Sequence, residues 1–133
     1  MGLNHFETAR FYGSSEVQLV DALANLMEEG TIKRSDFIFQ TKLGTNGCPL
    51  SMSFEVAKAG ITREDFAKQW QSSWENVEKL GYVDLCAFHC VSEEGQIDTI
   101  LSEDGLHNFM LELQKEGKVN NQHGCMWLKF LYC

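Results

Sequence analysis

The sequence predicts an α/β protein built on a parallel sheet, and three observations carry that expectation. Short apolar runs alternate with segments of helical period in the order strand, helix, strand, helix, strand, helix, strand. The runs "DFIFQT" and "YVDLCAFH" lack polar alternation, as strands covered on both faces do. Strand starts recur roughly every 35 to 45 residues, the size of a βαβ unit with its loops. Alternation of this kind places parallel strands beneath a layer of helices.

The first strand is read over residues 2–8, where "GLNHF" gives way to turn chemistry. Gly13 then precedes Ser14 and Ser15, both good N-cap residues, and Ser15-Glu16-Val17-Gln18 has capping-box spacing. Val17, Val20, Ala24 and Met27, with Leu19, Leu23 and Leu26 beside them, form the apolar stripe of the first helix, which Gly30 closes. Residues 36–41 are the second strand, and the glycines, serines and single proline of residues 43–60 predict a long loop. Thr62 caps the second helix, with Asp65 three residues on and Ile61 placed to staple onto Phe66. Its apolar face is Phe66, Trp70, Trp74 and Val77, and Gly81 ends it. Residues 82–89 are the third strand, followed by the loop "CVSEEGQ". Leu106, Phe109, Met110 and Leu113 stand at i, i+3, i+4 and i+7 on a third helix, Gly117 stops it, and Lys118-Val119 opens a fourth strand.

The bulk numbers narrow the class. With 133 residues, 44% hydrophobic and 23% charged, the chain fits one globular domain. A net charge of −8 with no basic cluster argues against nucleic-acid or anionic-membrane partners. There is no membrane-length apolar run and no secretion-signal pattern at the N-terminus. Five scattered cysteines, Cys48, Cys86, Cys90, Cys125 and Cys133, form no Cys-x-x-Cys pair and no even-numbered framework. Reduced thiols and a cytoplasmic location are expected.

The polar residues that interrupt the apolar runs share one end of the predicted sheet. Glu7 ends the first strand, Tyr12 lies in the loop after it, Lys42 follows the second strand, and His89 ends the third. In parallel α/β folds the carboxyl ends of the strands form the ligand-binding rim. An acid, a tyrosine, a lysine and a histidine on that rim suit proton transfer to a carbonyl oxygen. Each has a plainer reading when taken alone: a surface acid, a loop tyrosine, a solvated lysine, a structural histidine. A metal site in "CAFHC" is not expected, because on a strand Cys86 and Cys90 face opposite to His89.

"HFETARFYGSSE", "FIFQTK" and "YVDLCAFH" resemble the aldo/keto reductases, whose signature runs Asp-Thr-Ala-x-x-Tyr-Gly, then a strand ending Thr-Lys, then a strand ending in His. The resemblance covers residues 2 to about 118. It implies a (β/α)8 TIM barrel that reduces an aldehyde or ketone with NADPH. By resemblance, Tyr12 protonates the carbonyl oxygen and Lys42 depresses the tyrosine's pKa. The acid at position 7 holds Lys42, and His89 orients the carbonyl. The family's acid is usually Asp; Glu7 keeps the charge but moves the carboxylate by about 1.5 Å, so its pair with Lys42 requires adjustment.

Against the family pattern, the sequence corresponds to the second to about the fifth barrel strand. Residues 1–119 are therefore read as a partial barrel of about four parallel strands and three helices. The segment "NNQHGCMWLKFLYC" is read as a divergent tail over residues 120–133, consistent with a frame change, retained intron or altered gene model. The family's loops for the NADPH phosphates follow later strands, so weak intrinsic NADPH affinity is expected. The resulting expectation is a truncated aldo/keto reductase-like oxidoreductase with impaired activity. The alternative is a non-catalytic half-barrel that self-associates or pairs with another chain through its open sheet edges.

Overall fold

The apolar runs form three parallel strands in the order β1-β2-β3 in a computed structural model that describes residues 2–44, 61–89, 91 and 94–120. β1 is His5–Glu7, β2 is Ile38–Gly44 and β3 is Leu85–His89. The helices are α1 Ser15–Glu28, α2 Arg63–Val77, α3 Glu94–Leu101 and α4 Leu106–Lys115. The parallel α/β organisation is the expected one. The expected tail falls on residues 121–133 apart from Asn120, and most of the expected long loop on residues 45–60; both lie outside the described residues.

Several details differ from the sequence-based expectation. Lys118-Val119 contributes one parallel bridge, Val83 to Val119, instead of a fourth strand. Residues 94–101, of which 94–96 fall in the expected loop, form α3, so four α-helices are described where three were expected. That helix has only eight residues and a glycine in its first turn, so its periodic signal was weak. β1 shrinks to three residues, while β2 runs two residues past Lys42.

Register assigns each strand two faces. Glu7 pairs with Gln40, Thr41 with Cys86, Lys42 with Ala87, Leu43 with Phe88 and Gly44 with His89. Because side chains alternate along a strand, Phe39, Thr41, Leu43, Cys86 and Phe88 share one face. The other face carries Glu7, Gln40, Lys42, Ala87 and His89. Phe39, Leu43 and Phe88 join one buried core with Val20 and Leu23 of α1, Phe66, Trp70 and Val77 of α2, Ile100 of α3 and Met110 of α4. Burying side chains of this size stabilises the fold by roughly 1.5–3 kcal/mol each before entropy is charged.

The helix boundaries follow local chemistry. Thr62 caps α2 through its hydroxyl, which accepts from the Asp65 amide at 3.1 Å. Gly30, Gly81 and Gly117 take the positive φ angles (73°, 82° and 72°) that terminate the preceding helical turns. The expected capping box of α1 does not form: Ser14 is the N-cap without a side-chain bond, and the Ser15 hydroxyl pairs with Thr8 at 3.0 Å. The buried faces of two helices are also shifted. Glu16 is buried where Val17 was expected, and Ser73 is buried while Trp74 is only partly covered.

The amino ends of β2 and β3 are joined by Arg34. Its guanidinium donates to the carbonyls of Phe37, Leu80 and Tyr82 at 3.1, 3.1 and 3.0 Å, and to Asp84 at 2.5 Å. It also lies 3.7 Å from the Tyr82 ring centroid. Asp84 in turn accepts from the Phe39 amide at 2.8 Å. No helix of the described residues is long and apolar enough to cross a membrane.

Replacing Asp84 with alanine strands a largely buried guanidinium and a β2 amide together. Asp84→Ala is expected to lower unfolding free energy by about 3 kcal/mol, read from the urea midpoint at constant m-value.

Candidate active site

The face of the sheet away from the helices ends in a polar cluster. β2 is the central strand, and Lys42 lies within it at 2% exposure, two residues before its end and not after it. An ammonium at such a site needs acceptors, because losing water without replacing its hydrogen bonds is costly. Glu7, at the carboxyl end of the neighbouring strand, supplies the first: Nζ donates to its Oε1 at 2.7 Å. Tyr12 supplies the second, accepting from Nζ at 3.3 Å with its ring centroid 4.9 Å from the same nitrogen. Glu7 reaches Lys42 despite the additional methylene.

His89 completes the group from β3. Its ring meets Tyr12 edge-on, with centroids 5.4 Å apart and an interplanar angle of 86°. Phe11 stacks on the same ring with centroids 6.3 Å apart and an interplanar angle of 26°. All four residues singled out from the sequence are therefore drawn to the carboxyl ends of the strands. Glu7 and Tyr12 remain substantially exposed, at 41% for the Glu7 side chain and 49% for Tyr12, so the cluster opens to solvent on the phenol side.

The electrostatics follow from the same contacts. Burial works against the Lys42 charge, but hydrogen bonds and charge interactions with Glu7 and Tyr12 outweigh it and hold the pKa above the ordinary lysine value. For His89, burial and then the nearby Lys42 ammonium push the imidazole pKa down, with Glu7 pulling the other way. The lysine is thus kept charged and the histidine neutral near pH 7.

Several residues that shape the site carry no clear sequence signal. Gly44 lets the Phe11 ring lie close against the end of β2, where a Cβ would displace it. Gln69 of α2 accepts from the Gly44 amide at 3.0 Å and holds the end of β2. Arg10 ties the Tyr12 loop to the scaffold, its amide donating to the Lys42 carbonyl at 3.0 Å and its guanidinium to Ser72 at 2.8 Å. His5 and Gln40 are joined at 3.1 Å on the same sheet face. Among the described residues no group of three or more His, Cys, Asp or Glu could hold a metal ion. Cys90, His123 and Cys125 lie outside the described residues.

A model of the aldo/keto reductase family matches residues 1–122. Among solved structures, the chain is similar to a Bombyx mori aldo-keto reductase in complex with NADP, with a TM-score of 0.56 and 22% identity. The match covers 89% of this chain and 34% of that protein, so the chain spans about a third of its length. At that identity the likeness is one of fold, and the three strands with their helices match a part of a (β/α)8 barrel. No curated protein matches the chain.

A depressed imidazole pKa has a defined thermodynamic sign. The unfolded histidine takes up a proton near its ordinary value of 6.5, while folded His89 resists it. Its contribution to stability is therefore present above that pH and is lost as pH falls through the folded value. NMR titration of the His89 ring should give a midpoint below 6.5. Urea unfolding of His89→Asn should show a shallower loss of stability on acidification than the parent.

Proposed function

The chain belongs to the aldo/keto reductase family, and from that premise we propose that it carries the proton-transfer half of an NADPH-dependent reduction of an aldehyde or ketone. The observation that carries this reading is the Lys42 ammonium, 2.7 Å from Glu7 and 3.3 Å from the Tyr12 phenol. Tyr12 accepts from Lys42, which leaves its own O–H to donate outward from a partly exposed ring. A carbonyl oxygen beside Tyr12 and His89 would take that proton as its carbon is reduced. The adjacent ammonium then faces the phenolate left behind, and Glu7 keeps the ammonium in place. Neutral His89 offers a ring N–H to orient the same oxygen.

These side chains provide a proton and no electrons, which fits a nucleotide cofactor as the reductant. NADPH, when bound, supplies the hydride to the carbonyl carbon. The residues that hold it are not assigned within this chain, and the carbonyl substrate is defined only as a small molecule with an aldehyde or ketone. A cytoplasmic location belongs to the same proposal and rests on the unpatterned cysteines.

A second reading rests on the sheet edge. Among the described residues no strand pairs with the outer edge of β1, and Leu3 beside it is 93% exposed. An edge of this kind is a template for another chain, and self- or hetero-association as a non-catalytic module would use it.

Carbonyl-dependent oxidation of NADPH by the purified chain, followed by absorbance, separates the readings. Tyr12→Phe is expected to reduce it by at least ~10²-fold while leaving the fold unchanged. Turnover unaffected by that substitution sinks the proton-donor assignment. Absence of turnover, with concentration-dependent association on size exclusion, favours the second reading.

A further inference from the structure

Two of the places where helical periodicity misreads the buried face are bonded to each other. Glu16, 1% exposed, stands on the buried face where Val17 was expected, and Ser73 where Trp74 was expected. Glu16 Oε1 accepts from Ser73 at 2.6 Å and from Thr41 at 2.5 Å, and its Oε2 accepts from the Asn76 amide at 3.3 Å. Among the described residues no cation forms an ion pair with Glu16. The Cys86 thiol is buried, and burial and the Glu16 charge both push its pKa up, so it stays protonated. An acid buried among neutral donors stabilises less than apolar side chains of the same volume. Packing alone does not account for it.

Its connections do. Thr41 immediately precedes Lys42 on β2, with its side chain on the opposite face of the strand. Glu16 lies four residues after Tyr12, in the first turn of α1. The Tyr12 loop is closed on itself by the 3.0 Å bond between Thr8 and Ser15 and joined to Lys42 through the Arg10 amide. The Glu16–Thr41 bond therefore ties the helical end of that loop to the residue next to Lys42. α2 braces both ends of the loop, through Ser72 to Arg10 and through Ser73 and Asn76 to Glu16.

We propose that Glu16 is a positioning residue for the Tyr12–Lys42 pair, setting the phenol against the ammonium through Thr41 from the far side of the sheet. The inference rests on the proton-transfer role of that pair, but its test reads geometry and not turnover.

The experiment is NMR on the full chain, comparing the Lys42–Tyr12 cross-relaxation contact with the Phe66–Phe88 contact in the core, whose ring centroids lie 5.6 Å apart. Glu16→Ala is expected to lose the first contact and keep the second. Glu16→Gln, which retains an acceptor oxygen for Thr41 and Ser73, is expected to restore it. Retention of the Lys42–Tyr12 contact in folded Glu16→Ala overturns the proposal. If Glu16→Ala loses both contacts, Thr41→Val decides, because it removes only the bond beside Lys42. Loss of the Lys42–Tyr12 contact alone in that variant supports the proposal, and any other result overturns it. A chain without carbonyl turnover whose Lys42–Tyr12 contact still depends on Glu16 separates failure of the reductase reading from failure of this one.

Discussion

A buried ammonium on the central strand is the constraint around which the candidate site is arranged. Lys42 has given up nearly all its contact with water, and its charge is tolerated only because two acceptors reach it. Glu7 comes from the end of a three-residue strand that also pairs with β2 along its length. The same ion pair that neutralises Lys42 therefore helps to hold β1 on the sheet. Tyr12, in the loop that β1 leads into, is the second acceptor. Removing the lysine charge would leave the acid and the phenol with no common partner, and His89 would lose the neighbour that helps to keep it neutral.

The two ends of the sheet divide the work. At the amino ends of the strands, Arg34 and Asp84 satisfy three backbone carbonyls and one backbone amide between them. At the carboxyl ends the charged groups face one another and the solvent. The helix side of the same strands is closed by Phe39, Leu43 and Phe88 against the helices. Strand alternation thus lets consecutive residues serve different ends: Leu43 packs the core while Lys42 faces the site. This is why a run that looks uniformly buried can hold a lysine without a gap in the core.

Much of this was legible in the residues. Short apolar runs bounded by turn chemistry marked β2 and β3, and Thr62, Gly30, Gly81 and Gly117 marked helix boundaries that the structure keeps. Glu7, Lys42 and His89 stood out because each interrupts or ends an apolar run near its carboxyl end, and Tyr12 because it lies in the loop that follows the first run. Other features were hidden for physical reasons. A serine pair before a helix reads as a cap, but the Ser15 hydroxyl finds Thr8, a partner seven residues away that no local rule supplies. Glu16 entered the sequence reading only within the expected capping box, and the arrival of α2 makes it a buried acceptor. Arg34 carries no local signal of its role, because its partner Asp84 stands fifty residues on.

By itself the sequence determined the alternation of strands and helices, the family, and the identity of the four rim residues. Those features follow from local periodicity and from residue types at fixed spacing along one chain. Tertiary structure alone decided which strand faces look inward, how far β2 extends, and whether Glu7 is long enough to meet Lys42. It also decided that Glu16, Thr41, Ser73 and Asn76 form one buried network. Such outcomes depend on parallel register and on the approach of helices distant in sequence. A one-residue slip in that register would exchange the two faces of a strand, so they follow from the assembled sheet and not from any single segment.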